Sequence, residues 1–268
     1  MPNVLITGAA GHLGRSTTQL LGAAGYTVRG MSRRATPGAN WPGAEWIQAD
    51  LATGKGLTAA TQGMDVIVHL ASAGYSNPKQ IDIEGTRRLM EAARAAGVAH
   101  ALYISIVGID RVPYAYGAAK LAAEEIIQRS GVPWSVLRAT QFHYAIDLLL
   151  GFLTRLPLVA LIPAGSPLQP VGEDEVARRL AEVVQAGPSG RLPDMGGPQI
   201  LTTNELTRIW LRERGMRRAI TPIWLPGKMG SALRAGGNTC PDHATGVETW
   251  EAWLQRHYRQ QASDSSRA

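Results

Sequence analysis

The chain has 268 residues, of which 45% are hydrophobic and 18% charged, and a net charge of +6 at pH 7. This balance is typical of an ordinary soluble globular protein and excludes intrinsic disorder, and the length allows one large α/β domain or two smaller ones. The basic residues are spread along the sequence, with no run beyond a pair, so they indicate solvated surface and no nucleic-acid partner.

A single cysteine, Cys240, excludes an internal disulfide and a cysteine-rich metal site, and it favours a reducing, cytoplasmic compartment. The chain enters its first strand directly, without the basic and apolar regions of a signal peptide. Asp147, Arg155 and Pro157 interrupt the longest apolar run, residues 145–163. We therefore expect no membrane span and no bound metal.

The first predicted element is a buried strand at residues 4–6, followed by a turn with three glycines. Gly8 allows a tight exit from the strand, Gly11 allows the backbone to approach a pyrophosphate, and Gly14 allows close packing of the following helix. The helix N-terminus favours an anion. The pattern predicts a dinucleotide site whose cofactor contacts are Gly8, Gly11, His12, Leu13 and Gly14.

The second predicted strand, residues 27–31, ends in Ser32-Arg33-Arg34. A site specific for NAD usually has an acidic residue here, whereas arginines can bind the 2′-phosphate of NADP. Arg33 and Arg34 therefore predict NADP, with NAD as the less favoured cofactor and a solvated turn as the alternative interpretation. A third strand is predicted over residues 46–51.

The fourth predicted strand, residues 66–71, leads into a loop of small residues in which Ala71 and Ser72 can approach the cofactor. His69 lies on this apolar strand, and we interpret it as a core histidine and not as a ligand or base. The helix predicted over residues 83–96 is assigned to packing, with a homodimer face as a further possibility.

The fifth predicted strand, residues 102–108, carries Ser105, and the helix that follows contains Tyr116 and Lys120 four residues apart. An ammonium group beside a phenol favours the phenolate, so the tyrosine can exchange a proton with a substrate oxygen. Ser105 can donate a hydrogen bond to the same oxygen. Tyr114 lies off the Lys120 face, so we expect it to line the pocket.

These stretches, residues 104–110, 113–125 and 130–143, resemble the NmrA-like atypical branch of the short-chain dehydrogenase/reductase superfamily. The resemblance implies a Rossmann domain with a small C-terminal substrate lobe, usually NADP as cofactor, and a contact of Asp50 and Leu51 with the adenine side. An Asx turn or helix cap is the other interpretation of Asp50. The branch includes reductases of ketones and quinones, and also cofactor sensors that have lost the tyrosine. The departure at Gly117-Ala118, where relatives carry bulkier residues, concerns the substrate.

The C-terminal part begins with residues 140–144, which we expect to close over the nicotinamide, and continues with an apolar stretch at 148–161. Helices are predicted over 174–186 and 203–214, a short strand over 219–224, a closing segment at 250–254 and a disordered tail at 259–268. Either an apolar pocket or core packing explains Phe142, Tyr144, Leu148, Leu149 and Phe152. The predicted substrate contacts are Tyr75, Tyr114, Gln141, Phe142 and Tyr144.

Together these elements predict an α/β fold, a doubly wound parallel sheet with residues 1–145 as the NAD(P)-binding core and 146–258 as an interleaved substrate lobe. The predicted activity is an NADP-dependent oxidoreductase that transfers hydride between nicotinamide and a small or medium apolar carbonyl compound. Tyr116 is the proton donor, Lys120 its partner and ribose ligand, and Ser105 the orienting donor. The alternatives are a non-catalytic NADP sensor, a quinone reductase and a sugar-nucleotide epimerase, the last disfavoured by the apolar stretch.

Overall fold

The structure is a computed structural model that describes residues 1–34, 44–74, 76–155, 158–163 and 165–265, with side chains up to residue 259. The strands are β1 (Asn3–Thr7), β2 (Thr27–Ser32), β3 (Ala44–Gln48), β4 (Val66–His69), β5 (His100–Ile106), β6 (Trp134–Ala139), β7 (Val159–Pro163), β8 (Pro167–Leu168), β9 (Gly190–Arg191), β10 (Leu201–Thr202) and β11 (Ala219–Ile223). The helices are α1 (His12–Ala23), α2 (Leu57–Thr61), α3 (Thr86–Ala95), α4 (Ala115–Gln128), α5 (His143–Leu153), α6 (Glu173–Ala186), α7 (Thr203–Glu213), α8 (Gly227–Arg234) and α9 (Trp250–Ser265). A π-helical segment, Lys79–Gly85, precedes α3, and a 3₁₀ turn, Pro241–His243, precedes α9.

The chain divides into two compact units. The first comprises Met1–Ile106, Tyr114–Arg138 and Glu173–Pro193, and the second Val107–Pro113, Ala139–Gly172 and Asp194–Ala268. The chain crosses to the second unit after Ile106 and again after Arg138, and it returns to the first unit for α6 and β9. The predicted boundary at residue 145 lies after the second of these crossings, and the lobe beyond it was predicted to be interleaved with the core.

The first unit contains one sheet, whose strands in the described residues follow the order β3, β2, β1, β4, β5, β6, β9. Strand β1 pairs in parallel with both of its neighbours, β2 and β4. Strand order reverses at β1 and β4, and such a switch point is where open α/β sheets bind ligands, beyond the carboxyl ends of the strands. The predicted doubly wound α/β fold is confirmed.

Helices cover both faces of this sheet. The crossovers from β1 to β2 and from β4 to β5 run in opposite directions from the switch point, so their right-handedness places α1 and α3 on opposite faces. On the α3 side, Leu89 and Ile127 pack with the strand residues Leu5, Ile67 and Tyr103 in one buried cluster. On the other side, the Ser16 hydroxyl of α1 donates to the Asp174 carboxylate of α6 at 2.6 Å.

The second unit has two small sheets, a parallel pair of β7 and β11 and an antiparallel pair of β8 and β10. Its core is aromatic: Trp210 of α7 and Trp250 of α9 are buried together with Ile146 and Leu150 of α5. The Trp210 indole N–H donates to Asp147 at 2.6 Å, so this buried tryptophan is satisfied.

Several boundaries differ from the sequence expectations. The third strand ends at Gln48, so Asp50 lies in a loop, and the predicted helix at 83–96 begins as the π-helical segment Lys79–Gly85. The last helix continues to Ser265, into the stretch predicted to be disordered. Residues such as Gln261 and Ala262 are good helix formers and no proline or glycine stops them.

Candidate functional site

The turn between β1 and α1 requires its glycines for different reasons. Gly8 has φ +70°, and a Cβ there would lie 2.8 Å from the Ala71 nitrogen, while a Cβ at Gly14 would lie 2.2 Å from the Gly8 oxygen. A Cβ at Gly11 would lie 3.2 Å from the Gly8 oxygen, a tight contact that needs a small shift of that oxygen. Gly8 and Gly14 are therefore required by the protein's own packing, and Gly11 is the least crowded of the three positions.

The start of α1 suits an anion. Gly11 is the N-cap residue, and no side chain caps the helix. Backbone N–H groups in the first turn of a helix have no intrahelical acceptor, and the helix dipole favours negative charge there. The turn and the helix start together could hold the pyrophosphate of a dinucleotide, and the cofactor contacts of Gly8 to Gly14 stay a prediction.

The two arginines predicted to select the cofactor follow β2. Arg33 and Arg34 are exposed, and their backbone is fixed because the Arg34 N–H donates to Ser32 Oγ at 3.1 Å and the Gln48 amide donates to the Arg33 carbonyl at 3.0 Å. Two exposed guanidinium groups on a fixed backbone suit a 2′-phosphate.

Asp50 forms an Asx turn. Its carboxylate accepts the Ala52 N–H at 2.9 Å and the Thr53 hydroxyl at 3.2 Å. Leu51 is buried beside it. Of the two interpretations of Asp50, the structure shows the turn, and the adenine contact of Asp50 and Leu51 stays a prediction.

His69 organises the loop after β4. Thr86 Oγ1 donates to the Asp82 carbonyl at 2.6 Å, so the His69 Nε2–H must donate to Thr86 at 3.0 Å, and Nδ1 accepts from Thr7 Oγ1 at 2.7 Å. Thr7 Oγ1 in turn accepts the next two backbone N–H groups after His69, each at 3.1 Å. Burial, with the nearby Lys120 charge, lowers the pKa of His69 to about 3. The prediction of a core histidine is confirmed.

Lys120 is buried one helical turn after Tyr116 on α4. Its Nζ donates to the Ile104 carbonyl at 2.9 Å and lies 4.1 Å from the centroid of the Tyr103 ring. Burial lowers the pKa of Lys120 from 10.5 to about 8, against the opposing charges of Asp82 and Glu124. The ammonium is thus held by β5 as well as by its own helix.

Ser105 lies one residue after Ile104, near the carboxyl end of β5, and is 2% exposed. Its hydroxyl has no hydrogen-bond partner within the described part of the chain. A buried hydroxyl left without a partner costs about 1–3 kcal/mol. Such a group at the carboxyl edge of the sheet suits a polar ligand atom.

Tyr116 is connected to a buried acid. Its hydroxyl lies 2.7 Å from Ser72 Oγ, and Ser72 Oγ donates to Asp82 Oδ1 at 2.6 Å. The Ala73 N–H donates to the other Asp82 oxygen at 3.1 Å. Asp82 is 1% exposed, and sequence reasoning assigned it no role. The signal in the sequence that could have identified Asp82 is an acidic residue at a position that helical packing buries.

A buried ion pair fixes α4 to β6. Arg138 donates to both carboxylate oxygens of Glu124, through Nε and Nη2, each at 2.8 Å. Both side chains are at most 10% exposed. Because Glu124 lies one turn after Lys120, this bidentate pair positions the part of α4 that carries Lys120.

Tyr114 explains the departure at Gly117. Tyr114 is the N-cap residue of α4, and a Cβ at Gly117 would lie 2.7 Å from its ring. A bulkier residue at Gly117 therefore requires the Tyr114 ring to move. The glycine belongs to this local packing, and the substrate contact of Tyr114 stays a prediction.

The remaining predicted substrate contacts lie mostly in the second unit. The Gln141 amide donates to the Asn238 carbonyl at 2.9 Å and accepts the Gln169 N–H at 3.0 Å, so it braces its own unit. Phe142 and Tyr144 stack with ring centroids 5.8 Å apart. Tyr75 lies outside the described residues. The sequence left two interpretations, an apolar pocket or core packing, for five apolar residues. Three of these side chains are exposed and so lie outside the core: Leu148, Leu149 and Phe152.

No group of three or more His, Cys, Asp or Glu side chains among the described residues could hold a metal ion. No helix in the described ranges is long and apolar enough to span a bilayer.

The switch-point sheet and the glycine turn define a dinucleotide-binding fold of the Rossmann type. The sequence model of the NAD(P)H-binding family matches residues 8–145, just over half of the chain, and the chain belongs to that family.

Solved structures share the fold. The NADPH-dependent quinone oxidoreductase QOR2 of Escherichia coli, complexed with NADPH, matches with a TM-score of 0.80 at 18% identity, over 95% of this chain and 99% of that one. A short-chain dehydrogenase/reductase superfamily protein of Agrobacterium tumefaciens with bound NAD has a TM-score of 0.70 at 19% identity, over 99% and 100% of the two chains.

The matches to curated relatives cover only part of each chain. A ceramide reductase of Caulobacter vibrioides is 26% identical over 66% of this chain and 59% of its own. A (4-alkanoyl-5-oxo-2,5-dihydrofuran-3-yl)methyl phosphate reductase of Streptomyces griseus is 27% identical over 76% and 71%. The photosystem II assembly factor Ycf39 of Cyanophora paradoxa is 28% identical over 55% and 50%. The chain spans about a fifth to three-fifths of the length of the first curated relatives that it matches.

Proposed function

We propose that this chain is an NADP-dependent oxidoreductase that reduces a small or medium apolar carbonyl compound, with Tyr116 as the proton donor. The observation that carries this proposal is the placement of Tyr116 and Lys120 one turn apart on α4, with Ser105 near the end of β5. The Ser105 hydroxyl is buried without a partner, as expected of a group that binds a substrate oxygen.

The residues of the first unit fit the cofactor. The turn from Gly8 to Gly14 would receive the pyrophosphate, and Arg33 and Arg34 would bind the 2′-phosphate that distinguishes NADP from NAD. Ser72 lies in the loop after β4, at the switch point of the sheet. A reduced nicotinamide bound there would supply hydride to the carbonyl carbon.

The side chains of the protein carry out the proton transfer. Tyr116 gives its hydroxyl proton to the carbonyl oxygen, and Ser105 donates a hydrogen bond to that oxygen and satisfies its own buried hydroxyl. Lys120, with a pKa of about 8, is mainly charged at neutral pH and stabilises the negative charge that develops on the tyrosine. We expect this contribution to decline as the pH rises above about 8.

Two features support a reductase that acts on an apolar compound. The chain has exposed apolar side chains on α5, at Leu148, Leu149 and Phe152. Two relatives carry names that describe reductases, a ceramide reductase and a dihydrofuranyl-methyl phosphate reductase.

The test is a cofactor titration followed by a substrate screen. NADPH binding is measured by fluorescence, and NADPH oxidation is followed against panels of ketones, quinones and enones. We expect NADPH to bind and at least one carbonyl compound to be reduced. Gly11→Val is the control, because its added side chain would occupy the ligand space while leaving the protein folded. Tight NADPH binding without turnover of any panel member would favour the cofactor sensor instead.

A further inference from the structure

The hydrogen bonds that connect Tyr116, Ser72 and Asp82 lie entirely within the first unit, between α4, the loop after β4 and the π-helical segment. Tyr116 Oη is 2.7 Å from Ser72 Oγ, and Ser72 Oγ is 2.6 Å from Asp82 Oδ1. The Ala73 N–H occupies the second Asp82 oxygen at 3.1 Å. The acid is therefore fixed at both oxygens, and its charge is directed at the tyrosine through one serine.

The chain of donors has a single direction. A carboxylate can only accept hydrogen bonds, so the one hydroxyl proton of Ser72 points at Asp82. Towards Tyr116, Ser72 can then only accept, and the Tyr116 hydroxyl must donate. This arrangement requires the protonated phenol: a phenolate at the same position would face the lone pairs of Ser72 with no proton between the two oxygens.

The charge of Asp82 acts in the same sense. The bonds of 2.7 and 2.6 Å meet at Ser72 Oγ, so the outer oxygens of Tyr116 and Asp82 are at most about 5.3 Å apart. At that distance two negative charges repel each other measurably even in a solvated site. Asp82 therefore opposes loss of the Tyr116 proton both by charge and by hydrogen bonding.

The other charged groups near the tyrosine do not reverse this balance. Glu124, also on α4, is negative and paired with Arg138. His69 is neutral, because its pKa is lowered to about 3. Lys120 opposes Asp82 at neutral pH, but its pKa of about 8 means that its charge is largely lost before an ordinary tyrosine titrates near 10. Burial together with the charges of Asp82, Tyr116 and Glu124 raises the pKa of Tyr103 well above its usual value, so this neighbour stays neutral.

We propose that Asp82, acting through Ser72, is a positioning residue that keeps the proton on Tyr116 in the resting protein and so prepares the site for carbonyl reduction rather than alcohol oxidation. In the reductive direction the Tyr116 O–H bond breaks, the proton passes to the carbonyl oxygen, and solvent returns a proton to the phenolate. In the oxidative direction Tyr116 must first lose the proton that Asp82 and Ser72 retain. The preferred direction rests on the proposed function, whereas the location of the proton can be measured without any substrate.

The experiment is a titration of tyrosinate absorbance. The chain has seven tyrosines. Subtracting the titration curve of Tyr116→Phe from that of the parent isolates the titration of Tyr116 from that of the other six. Asp82→Asn removes the charge with little change in size, and we expect it to lower the pKa of Tyr116 by about one unit. Glu84→Gln is the matched control, since Glu84 is two residues away, partly exposed and paired with Arg87, and it should leave the pKa of Tyr116 unchanged.

A second pair of variants covers a folding defect in Asp82→Asn. Ser72→Ala removes the acceptor of the Tyr116 proton but keeps the buried acid, so the pKa of Tyr116 should fall by less than in Asp82→Asn. Ser72→Thr retains the hydroxyl and should stay at the parent value. Circular dichroism at each pH checks that the fold is intact.

The outcomes separate the two proposals. An unchanged or higher pKa of Tyr116 in folded Asp82→Asn and Ser72→Ala would overturn the role of Asp82, even if the chain proves to be a reductase. The expected fall without turnover of any carbonyl compound would support the proton placement and contradict the proposed function. With a substrate in hand, the pH at which alcohol oxidation reaches half its maximal rate should also fall by about one unit in Asp82→Asn.

Discussion

The buried histidine His69 makes the stability of the first unit depend on pH. In the folded protein its pKa is about 3, whereas in the unfolded chain the value is 6.5, so between these pH values only the unfolded chain binds the proton. The contribution of neutral His69 is therefore complete above pH 6.5 and is lost as the pH falls. Between pH 7 and pH 5 the linkage relation gives a loss of about 2 kcal/mol in the free energy of unfolding.

The assay is urea unfolding at pH 7 and pH 5, followed by circular dichroism, for the parent and for His69→Gln. The variant has no ionisable group at this position, so its free energy of unfolding should fall by about 2 kcal/mol less than that of the parent over this interval. Its lower stability at pH 7, from lost hydrogen bonds to Thr7 and Thr86, does not enter the comparison. His243→Gln, at an exposed position, is the control. Equal pH dependence in the parent and His69→Gln would refute the assignment of a neutral, buried imidazole.

Three further predictions concern the glycine turn after β1, the ion pair between Arg138 and Glu124, and the arginines that follow β2. Gly14→Ala should destabilise the protein by about 1–3 kcal/mol in thermal melts and weaken NADPH binding, whereas Gly22→Ala on the same helix, with open space around it, should be tolerated or slightly stabilising. Arg138→Met should cost about 3–5 kcal/mol in urea unfolding by leaving Glu124 buried and unpaired, and a double variant with Glu124→Leu should recover much of that loss. Arg33→Asp should narrow or reverse the preference for NADPH over NADH in fluorescence titrations, and equal affinities in the parent would contradict the prediction of NADP.

The sequence predicts the parts of the fold that local patterns specify. A buried strand followed by glycines at three fixed positions predicts the carboxyl end of a central strand and an anion site beside it. The pattern is readable because a side chain at Gly8 or Gly14 would collide with backbone atoms. The strand and helix order then leads to the doubly wound sheet. By contrast, β9 is two residues long, Gly190–Arg191, and no periodicity can be read from so short a strand.

The candidate site was predictable only in part, because its residues meet through tertiary contacts. The spacing of Tyr116 and Lys120 is visible in the sequence, but the hydrogen bond between Tyr116 and Ser72 joins residues that are 44 positions apart. Asp82 looks like an ordinary polar residue of a helical segment until the fold buries it. Likewise, Lys120 was expected to serve the tyrosine and the cofactor ribose, whereas the structure shows its ammonium donating to the Ile104 carbonyl.

The central claim is that Tyr116 gives a proton to the substrate oxygen, and Tyr116→Phe tests it most directly. The measurement pairs the turnover of a carbonyl substrate found in the screen with the NADPH dissociation constant of the same variant. Turnover should fall by about two to four orders of magnitude while NADPH binding is retained, and Tyr114→Phe should stay near the parent in both. Turnover near the parent value in Tyr116→Phe would contradict the claim.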